Sequence, residues 1–558
     1  MRAMSRPDHP TPCAERPRAA LAITVEPLLL IAALFWTLAA NGRFFAAALH
    51  GRSPGDAATW GFAAALAVGL VALHLLLLAL VANRWTVKPL LAAMTVATAF
   101  ATYYMQTYGV YLDPSMLRST LHTDVAEARE LLGWTLLPHL ALYAALPLTL
   151  LARVRIVSRP WRSAAAVRGA WLLGALACAV AALVAVYQPL ASLMRNHKEA
   201  RYLITPANLL WSVASVAAAD TRGAARPRTP IGLDAAPGPS WRTQRRARVL
   251  VLVVGETARA ENWGLNGYAR QTTPQLARLP LVSFADVTAC GTDTETSVPC
   301  MFAPVGRRDY DAARIRSSES LLHVAARAGV QVHWRDNQTG CKGVCDTLPN
   351  DHVATLNPPG LCAQGRCLDE ALLYDIDHRL GAARGTQLWV LHMLGNHGPS
   401  YFRRYPPAFA RHQPACASDE LQHCSREEIV NAYDNALLYT DHVLAALVAK
   451  LQAHAPQVDS AMLYVSDHGE SLGEHGLFLH GVPYAIAPPQ QTKVPMLLWT
   501  SDGFAHAAGL DTACLSRRAM RPASHDHLFH TVLGLLDVRT ALHDPAWDLV
   551  AGCRSDAS

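Results

Sequence analysis

The sequence predicts two folds in one chain: an α-helical membrane domain of five transmembrane helices, then an α/β domain with a mostly parallel central sheet. Three observations predict it. Five long apolar stretches crowd the first third of the chain. The rest alternates apolar strand-like runs with amphipathic helical ones, the pattern of a sheet covered by helices. Ten of the twelve cysteines fall between Cys290 and Cys553, Cys13 and Cys178 being the others. An even set of that kind reads as disulfides in an oxidising compartment, the alternative being reduced, buried thiols. The 558 residues are too many for one ordinary domain. Hydrophobic residues make up 51% and charged residues only 16%, which excludes disorder, a collagen-like repeat and a small disulfide scaffold. A net charge of +6, with 24 histidines uncounted, is too mild for a dedicated nucleic-acid binder.

The apolar stretches cover about 20–41, 57–82, 89–108, 131–152 and 169–190. Each is long enough to cross a bilayer as a helix, which takes about 20 residues. The first begins too late, runs too long and lacks an A-x-A site, so it is not a cleaved signal peptide. Arginine and lysine set the orientation. They gather in the tail at 1–19, in the second-to-third loop (Arg84, Lys88) and in the fourth-to-fifth loop (Arg153, Arg155, Arg159, Arg162, Arg168). The tail is therefore cytoplasmic, and five crossings through 20–190 place everything beyond outside the cytoplasm. The cysteines point to the same compartment.

After the third span, Asp113-Pro114-Ser115-Met116 opens a helical run to Leu132, giving a periplasmic loop helix near 115–130. Ser119, Thr123 and Glu127 recur at i, i+4, i+8, one polar stripe on one face. The stripe reads either as a solvated face or as a helix that meets lipid headgroups. Residues 191–244 form an interfacial segment and linker. Arg195, His197, Lys198 and Arg201 precede an amphipathic stretch, Leu209 to Val216, suited to the outer surface of the membrane the chain spans. Pro227, Pro230, Pro237 and Pro239 then mark the linker.

The second domain covers 245–558. Strands are predicted at Val249–Val254, Val330–Trp334, Leu388–Leu394, Met462–Val465 and Val494–Trp499, with helices from Glu427 to Leu451 and from His525 to Leu536. In open α/β sheets, sites form beyond the carboxyl ends of strands. Here the first strand runs into Gly255-Glu256-Thr257, another into Gly395-Asn396-His397-Gly398, and a third into Asp467-His468-Gly469-Glu470, with His480 following in LFLHG. Glu256, Asp467 and His468 make a mixed oxygen and nitrogen set that suits zinc. One His beside one Asp is usually an ordinary hydrogen-bonded pair; ligands at several strand ends are not.

Such a centre needs a nucleophile or a water. The segment Cys290-Gly291-Thr292-Asp293-Thr294-Glu295-Thr296-Ser297 leads into a helix start, where backbone N–H groups and the dipole favour an oxyanion. Metal coordination lowers the pKa of bound water from about 15.7 to about 7 and would favour a threonine alkoxide in the same way. The same threonines also suit plain N-cap and turn roles. Their spacing does not choose among Thr292, Thr294 and Thr296.

The soluble part resembles the alkaline-phosphatase/sulfatase superfamily and, within it, the lipid A phosphoethanolamine transferases, which include the mobile colistin-resistance enzymes. The resemblance lies in VVGETARAENWGLNGYARQTTP, CGTDTETSVPCMF, HWRDNQTGCKGVC, LHMLGNHGPSYFRRYP, YDNALLYTDHVL and SDHGESLGEHGLFLHG. It extends to the membrane half through YGVYLDPSMLRSTLHTDVAEA and RNHKEARYLITPANLLW. By resemblance, Glu256, Asp467 and His468 are zinc ligands, and Thr294 is both a ligand and the nucleophile. His397 and His480 hold the transferred phosphate, a second zinc or the leaving group's proton. Asn337 and Lys342 lie near the substrate phosphate and ethanolamine, and Ser119, Thr123 and Glu127 meet the headgroup. Two positions depart from the family pattern: Ser119, often Asn, and His475 after Glu474, also commonly Asn.

The resemblance implies one tightly bound Zn2+ and leaves room for a second. It implies phosphatidylethanolamine as donor, lipid A as acceptor, and a monomer in the inner membrane of a Gram-negative cell with its catalytic domain in the periplasm. The alternative acceptor is another periplasmic glycan, a core sugar or a protein, and phosphoglycerol is the alternative group. A sulfatase needs Cys or Ser where Thr294 stands. A degenerate sensor would not keep the whole ligand set, and a transporter would carry more mid-membrane charge than His74 and His139. Local spacing pairs Cys290 with Cys300, Cys341 with Cys345, Cys362 with Cys367 and Cys416 with Cys424, leaving Cys514 for Cys553.

Overall fold

A computed structural model describes residues 21–123, 125–223, 228–363 and 365–554. The tail at 1–19, Cys13 and Pro227 lie outside them. The chain divides into two compact units. One takes the residues up to Tyr103 together with Leu137–Ala207; the other joins Tyr104–Leu136 to Asn208–Ser558. The segment read as a loop of the membrane half thus clusters with the second unit.

In the first unit, Val25–Phe35 continues through a π-turn, Trp36–Ala40, and meets Gly42–Leu49 at a bend of 59°. Ala57–Val81 and Trp161–Ala185 are long apolar helices of 25 residues each. By length and composition these two can cross a membrane, as can the bent pair if it counts as one span. The other two predicted spans are helical but weaker. Val87–Tyr108 carries Lys88, Thr95, Thr98 and Thr102, and Leu136–Ala152 is short and broken by a π-turn at Ala141–Ala145. The buried Glu26 carboxylate takes Arg159 at 3.0 Å and Arg168 at 3.1 Å, and Arg168 also donates to the carbonyls of Ala79 and Ala82. A buried charge is tolerated where it is paired in this way.

The second unit is organised by an eight-stranded sheet. In chain order its strands are β1 Ala247–Gly255, β2 Val282–Thr288, β3 Gln331–Asp336, β4 Asn350–His352, β5 Thr386–His392, β6 Val458–Ser466, β7 Lys493–Thr500 and β8 Ala523–Ser524. The spatial order is β8-β2-β7-β6-β1-β5-β3-β4. The mostly parallel sheet expected is a mixed one, because β7 runs antiparallel to both β6 and β2. The reason is local. A parallel return needs a crossover helix, and residues 467–492 hold only short turns, two-residue strands and one four-residue helix, Pro489–Thr492.

β1 shows why the apolar run is continuous rather than alternating. Leu250, Leu252 and Val254 enter one core with Phe302, Leu321 and Val532; Val249, Val251 and Val253 enter the other with Leu437, Leu444 and Val448. A strand covered on both faces is apolar at every position. The long helix Arg426–Ala453 covers the second face and starts at a Ser425/Glu428 capping box. β2, β4 and β8 were not legible in the sequence. β2 has an irregular register against β7 between Val494 and Met496, and the other two are very short.

Candidate active site

Four chain segments converge beyond the carboxyl ends of β1, β3, β5 and β6. Glu256 follows β1 directly, and Asp467-His468 follows β6, its neighbour in the sheet. The turn after β1 is tight: Thr257 sits at φ 52°, left-handed and strained for a β-branched residue. Gly395, after β5, also has positive φ, and a Cβ there would lie 2.5 Å from the Glu256 carbonyl oxygen. Only glycine lets the two loops approach so closely.

Thr294 opens the helix Thr294–Met301, whose N-cap Asp293 accepts from the Thr296 N–H. The Cys290–Cys300 disulfide closes the loop before that helix onto the helix itself. Thr294 Oγ1 donates to Glu256 Oε2 at 3.1 Å and lies 3.4 Å from His468 Nε2. Gln338, just beyond β3, donates to the same Glu256 oxygen at 2.9 Å.

The charge state of this corner argues for a cation. Glu256, Asp467 and His468 are fully buried, and their ligand atoms lie within 4.8 Å of one another. His468 Nδ1 donates to the Gly469 carbonyl at 2.9 Å, which leaves the Nε2 lone pair facing the carboxylates. Nε2 is 3.4 Å from Glu256 Oε1 and from Asp467 Oδ2, and both oxygens are buried without a hydrogen bond. Burial, then the charge of Asp467, pushes the Glu256 carboxyl well above its ordinary pKa. Two buried carboxylates and an imidazole lone pair aimed at one point repel one another unless a proton or a metal ion sits between them. Carboxylate, carboxylate, imidazole and a hydroxyl fit zinc.

A histidine pair stands beside this corner. The His480 ring lies 4.5 Å from that of His468 and 5.3 Å from that of His397. His480 Nδ1 meets Glu470 Oε2 at 2.8 Å, and Glu470 Oε1 accepts from the Tyr401 hydroxyl at 2.7 Å. Burial opposes the imidazolium of His480, but the Glu470 carboxylate outweighs it and raises the pKa. His397 moves the other way, driven well below its ordinary value by burial and then by His480 and Arg404. Lys342 Nζ lies 3.1 Å from Glu295 Oε1 and also bonds Thr339. Asn337 is turned away from the corner: its amide donates to Asp369 at 2.8 Å and to the Cys367 carbonyl at 3.0 Å.

The segment before Leu136 forms a rim within the same unit. The single helix expected there is two, Pro114–His122 and Val125–Glu130, broken where Thr123 is extended at ψ 129°. The break ends the continuous stripe. Thr123 Oγ1 caps its own helix through the Ser119 carbonyl, whereas Glu127 Oε1 lies 3.2 Å from His397 Nε2. Ser115 donates to Asp293 Oδ2 at 2.9 Å and bonds Thr296, and His122 meets Glu295 at 2.9 Å. The buried Glu130 takes Arg404 at 2.8 Å and pairs with Arg366. His475 is exposed and left-handed at φ 53°, a conformation that asparagine adopts more readily than most residues.

Comparison with known proteins settles the family. Residues 70–221 match the family described as Phosphoethanolamine transferase EptA/EptB, and 248–538 match Sulfatase. Over 475 residues, 84% of this chain and 86% of the other, the sequence is 38% identical to Phosphoethanolamine transferase EptA of Escherichia coli. The chain belongs to the phosphoethanolamine transferase family. Phosphatidylethanolamine transferase Mcr-1 of Escherichia coli is 36% identical over 533 residues, 92% of this chain and 96% of that one. The solved integral membrane lipooligosaccharide phosphoethanolamine transferase A from Neisseria meningitidis superimposes with a TM-score of 0.91 at 36% identity, covering 96% of this chain and 99% of that one. In this transferase, sequence reasoning missed Gln338, Glu470, Tyr401, Ser115 and His122. Gln338 and Glu470 each stand beside a residue or motif it had singled out, Asn337 and the Asp467-His468 pair.

Proposed function

We propose that this chain moves phosphoethanolamine from phosphatidylethanolamine to a phosphate of lipid A through a phosphoethanolamine–Thr294 intermediate. The observation that carries the proposal is the Thr294 hydroxyl, 3.1 Å from Glu256 at a helix N-terminus beside three converging ligand atoms. The donor is supported by the name of the Mcr-1 relative, and the acceptor class by that of the Neisseria meningitidis enzyme.

Glu256, Asp467, His468 and Thr294 Oγ1 would hold zinc, which when bound acidifies a hydroxyl and offsets charge on a phosphoryl oxygen. Gln338 orients the Glu256 carboxylate. Thr294 Oγ1 forms the new P–O bond, the bond to diacylglycerol breaks, and the leaving oxygen takes a proton. His480, whose pKa the Glu470 carboxylate raises, is the group suited to give that proton, while His397, driven well below its ordinary value by burial, is suited to accept one. Glu127, beside His397, suits the ammonium of ethanolamine, and Lys342 the phosphate side. In the second half a lipid A phosphate oxygen attacks the same phosphorus, and Thr294 Oγ1 leaves and regains its proton.

Five crossings through 20–190 would place the catalytic domain, 245–558, in the periplasm, where its five disulfides form. Each transferred ethanolamine adds a positive charge to an anionic surface, which then attracts cationic peptides such as polymyxins less strongly. The test is the lipid A mass spectrum of a Gram-negative host expressing the chain, with Thr294→Ala as control. A phosphoethanolamine increment with the intact chain alone supports the reading. No increment from folded, zinc-loaded protein sinks the acceptor assignment.

A further inference from the structure

A cavity of about 390 Å³ opens within the second unit, beside the histidine pair. Its charged lining is Arg129, Arg366, Arg403 and Arg404 against Glu130 and Asp419, an excess of two positive charges. The inner half of that set is already paired: buried Glu130 is held by Arg404 and Arg366. The outer half is held more loosely. Arg403 pairs with Asp419 at 3.3 Å and lies over the Phe402 ring, with its side chain 47% exposed. Arg129 has no ion pair or hydrogen bond from its side chain among the described residues.

The cavity adjoins a second one that reaches His397. Arg366, Cys367, Leu394 and Arg404 also line the smaller cavity, about 50 Å³, that contains Glu127, Asn337 and His397. Arg404 Nε donates to the His397 carbonyl at 2.7 Å. A dianion seated among these guanidiniums would therefore lie next to the loop that carries His397.

We propose that this cavity binds the phosphate monoester of the acceptor. The inference rests on the transfer reaction proposed above. Charge separates the two substrates. The donor headgroup is a zwitterion and gains little from a cavity with two excess positive charges, whereas a phosphate monoester carries close to two negative ones. Guanidinium forks also match phosphate geometry. From this seat a monoester oxygen attacks the phosphorus of the Thr294 diester. The P–Oγ1 bond breaks, Oγ1 takes up a proton, and no further reactant is needed.

The test uses the full chain in detergent–lipid micelles and the double variant Arg129→Ala/Arg403→Ala, both sites being exposed. The acceptor KM is expected to rise at least tenfold. Release of diacylglycerol from phosphatidylethanolamine without acceptor should change less than threefold. An unchanged acceptor KM overturns the proposal, and so does an equal loss in the acceptor-free reaction, which would assign the cavity to the donor. A second measurement stands apart from the choice of acceptor: binding of glucosamine 1-phosphate to the wild-type and variant chains. Affinity should fall at least fivefold in the variant; equal affinities overturn the proposal. Inorganic phosphate binding more tightly than the sugar phosphate would make the cavity a free-phosphate site and overturn it as well. If the wild type transfers nothing to the acceptor, the transfer reading has failed, and the binding arm alone decides the cavity.

Discussion

The metal corner and the rim are built on opposite principles. Glu256, Asp467, His468 and Thr294 are all buried, and each is fixed by a strand end or a helix start of one sheet-centred core. Ser115, His122, Glu127 and Glu130 sit on two short helices and reach the core through hydrogen bonds and ion pairs, several of them partly exposed. Position in the corner is therefore set by packing and backbone geometry, which salt and small substitutions barely move. Position in the rim is set largely by electrostatics, which they do.

Thr294→Ala makes the sharpest cut. Transfer should fall by more than about 10³-fold, a barrier increase of roughly 4 kcal/mol, while zinc content by plasma mass spectrometry stays above half of wild type. Full transfer by the variant would remove the covalent route. Glu256→Gln should lose zinc and activity together. In metal-free protein its effect reverses: relieving like-charge burial should raise the melting temperature above that of metal-free wild type, by about 1–3 kcal/mol in stability. A lower melting temperature would mean that the corner is not strained when empty of metal.

Within the rim, Glu130→Ala should be the most damaging change, because it strips Arg404 of its partner at a buried site. About 3 kcal/mol of destabilisation is expected, read as earlier thermal unfolding and faster proteolysis. A neutral result would place the rim in free exchange with solvent.

His525 extends the comparison to pH. Its Nδ1 accepts from the Cys290 N–H at 3.0 Å and its Nε2 donates to the Ser466 carbonyl at 2.9 Å, so the neutral ring is the one that fits. Burial lowers its pKa to about 4 from an ordinary 6.5. The folded value lies below the unfolded one. Its contribution is thus complete above pH 6.5 and lost as pH falls to 4, about 3 kcal/mol in all. Melting curves across that range should show the loss in wild type and a flatter profile in His525→Gln. At the small end, His122→Ala removes a pair whose histidine is 51% exposed. Stability should move by no more than about 0.5 kcal/mol, and the difference should vanish in high salt.

The same contrast explains what the sequence revealed. Corner residues follow unbroken apolar strands, so their positions at a sheet edge could be read directly. Gln338 and Glu470 lie in irregular loops without periodicity, and only the folded backbone turns Gln338 toward Glu256 while Asn337 turns away. The rim misled because an eight-residue polar repeat looks like one helix face, whereas the chain breaks at Thr123. Strand reversal at β7 was hidden for a related reason: the run Val494–Trp499 is apolar in either direction.

The disulfides have a consequence for where this enzyme can work. Four of the five close rings of ten residues' separation or fewer. Short rings remove little entropy from an unfolded chain of this length, so they are poor anchors for global stability. Yet each encloses at least one residue of the proposed site or of the cavity beside it: Thr294 within 290–300, Lys342 within 341–345, Arg366 within 362–367 and Asp419 within 416–424. Reduction would leave the sheet standing and let four site loops drift. Redox maturation, rather than folding itself, then decides whether a finished molecule is active, and a chain held back in a reducing compartment would be a well-folded but silent protein.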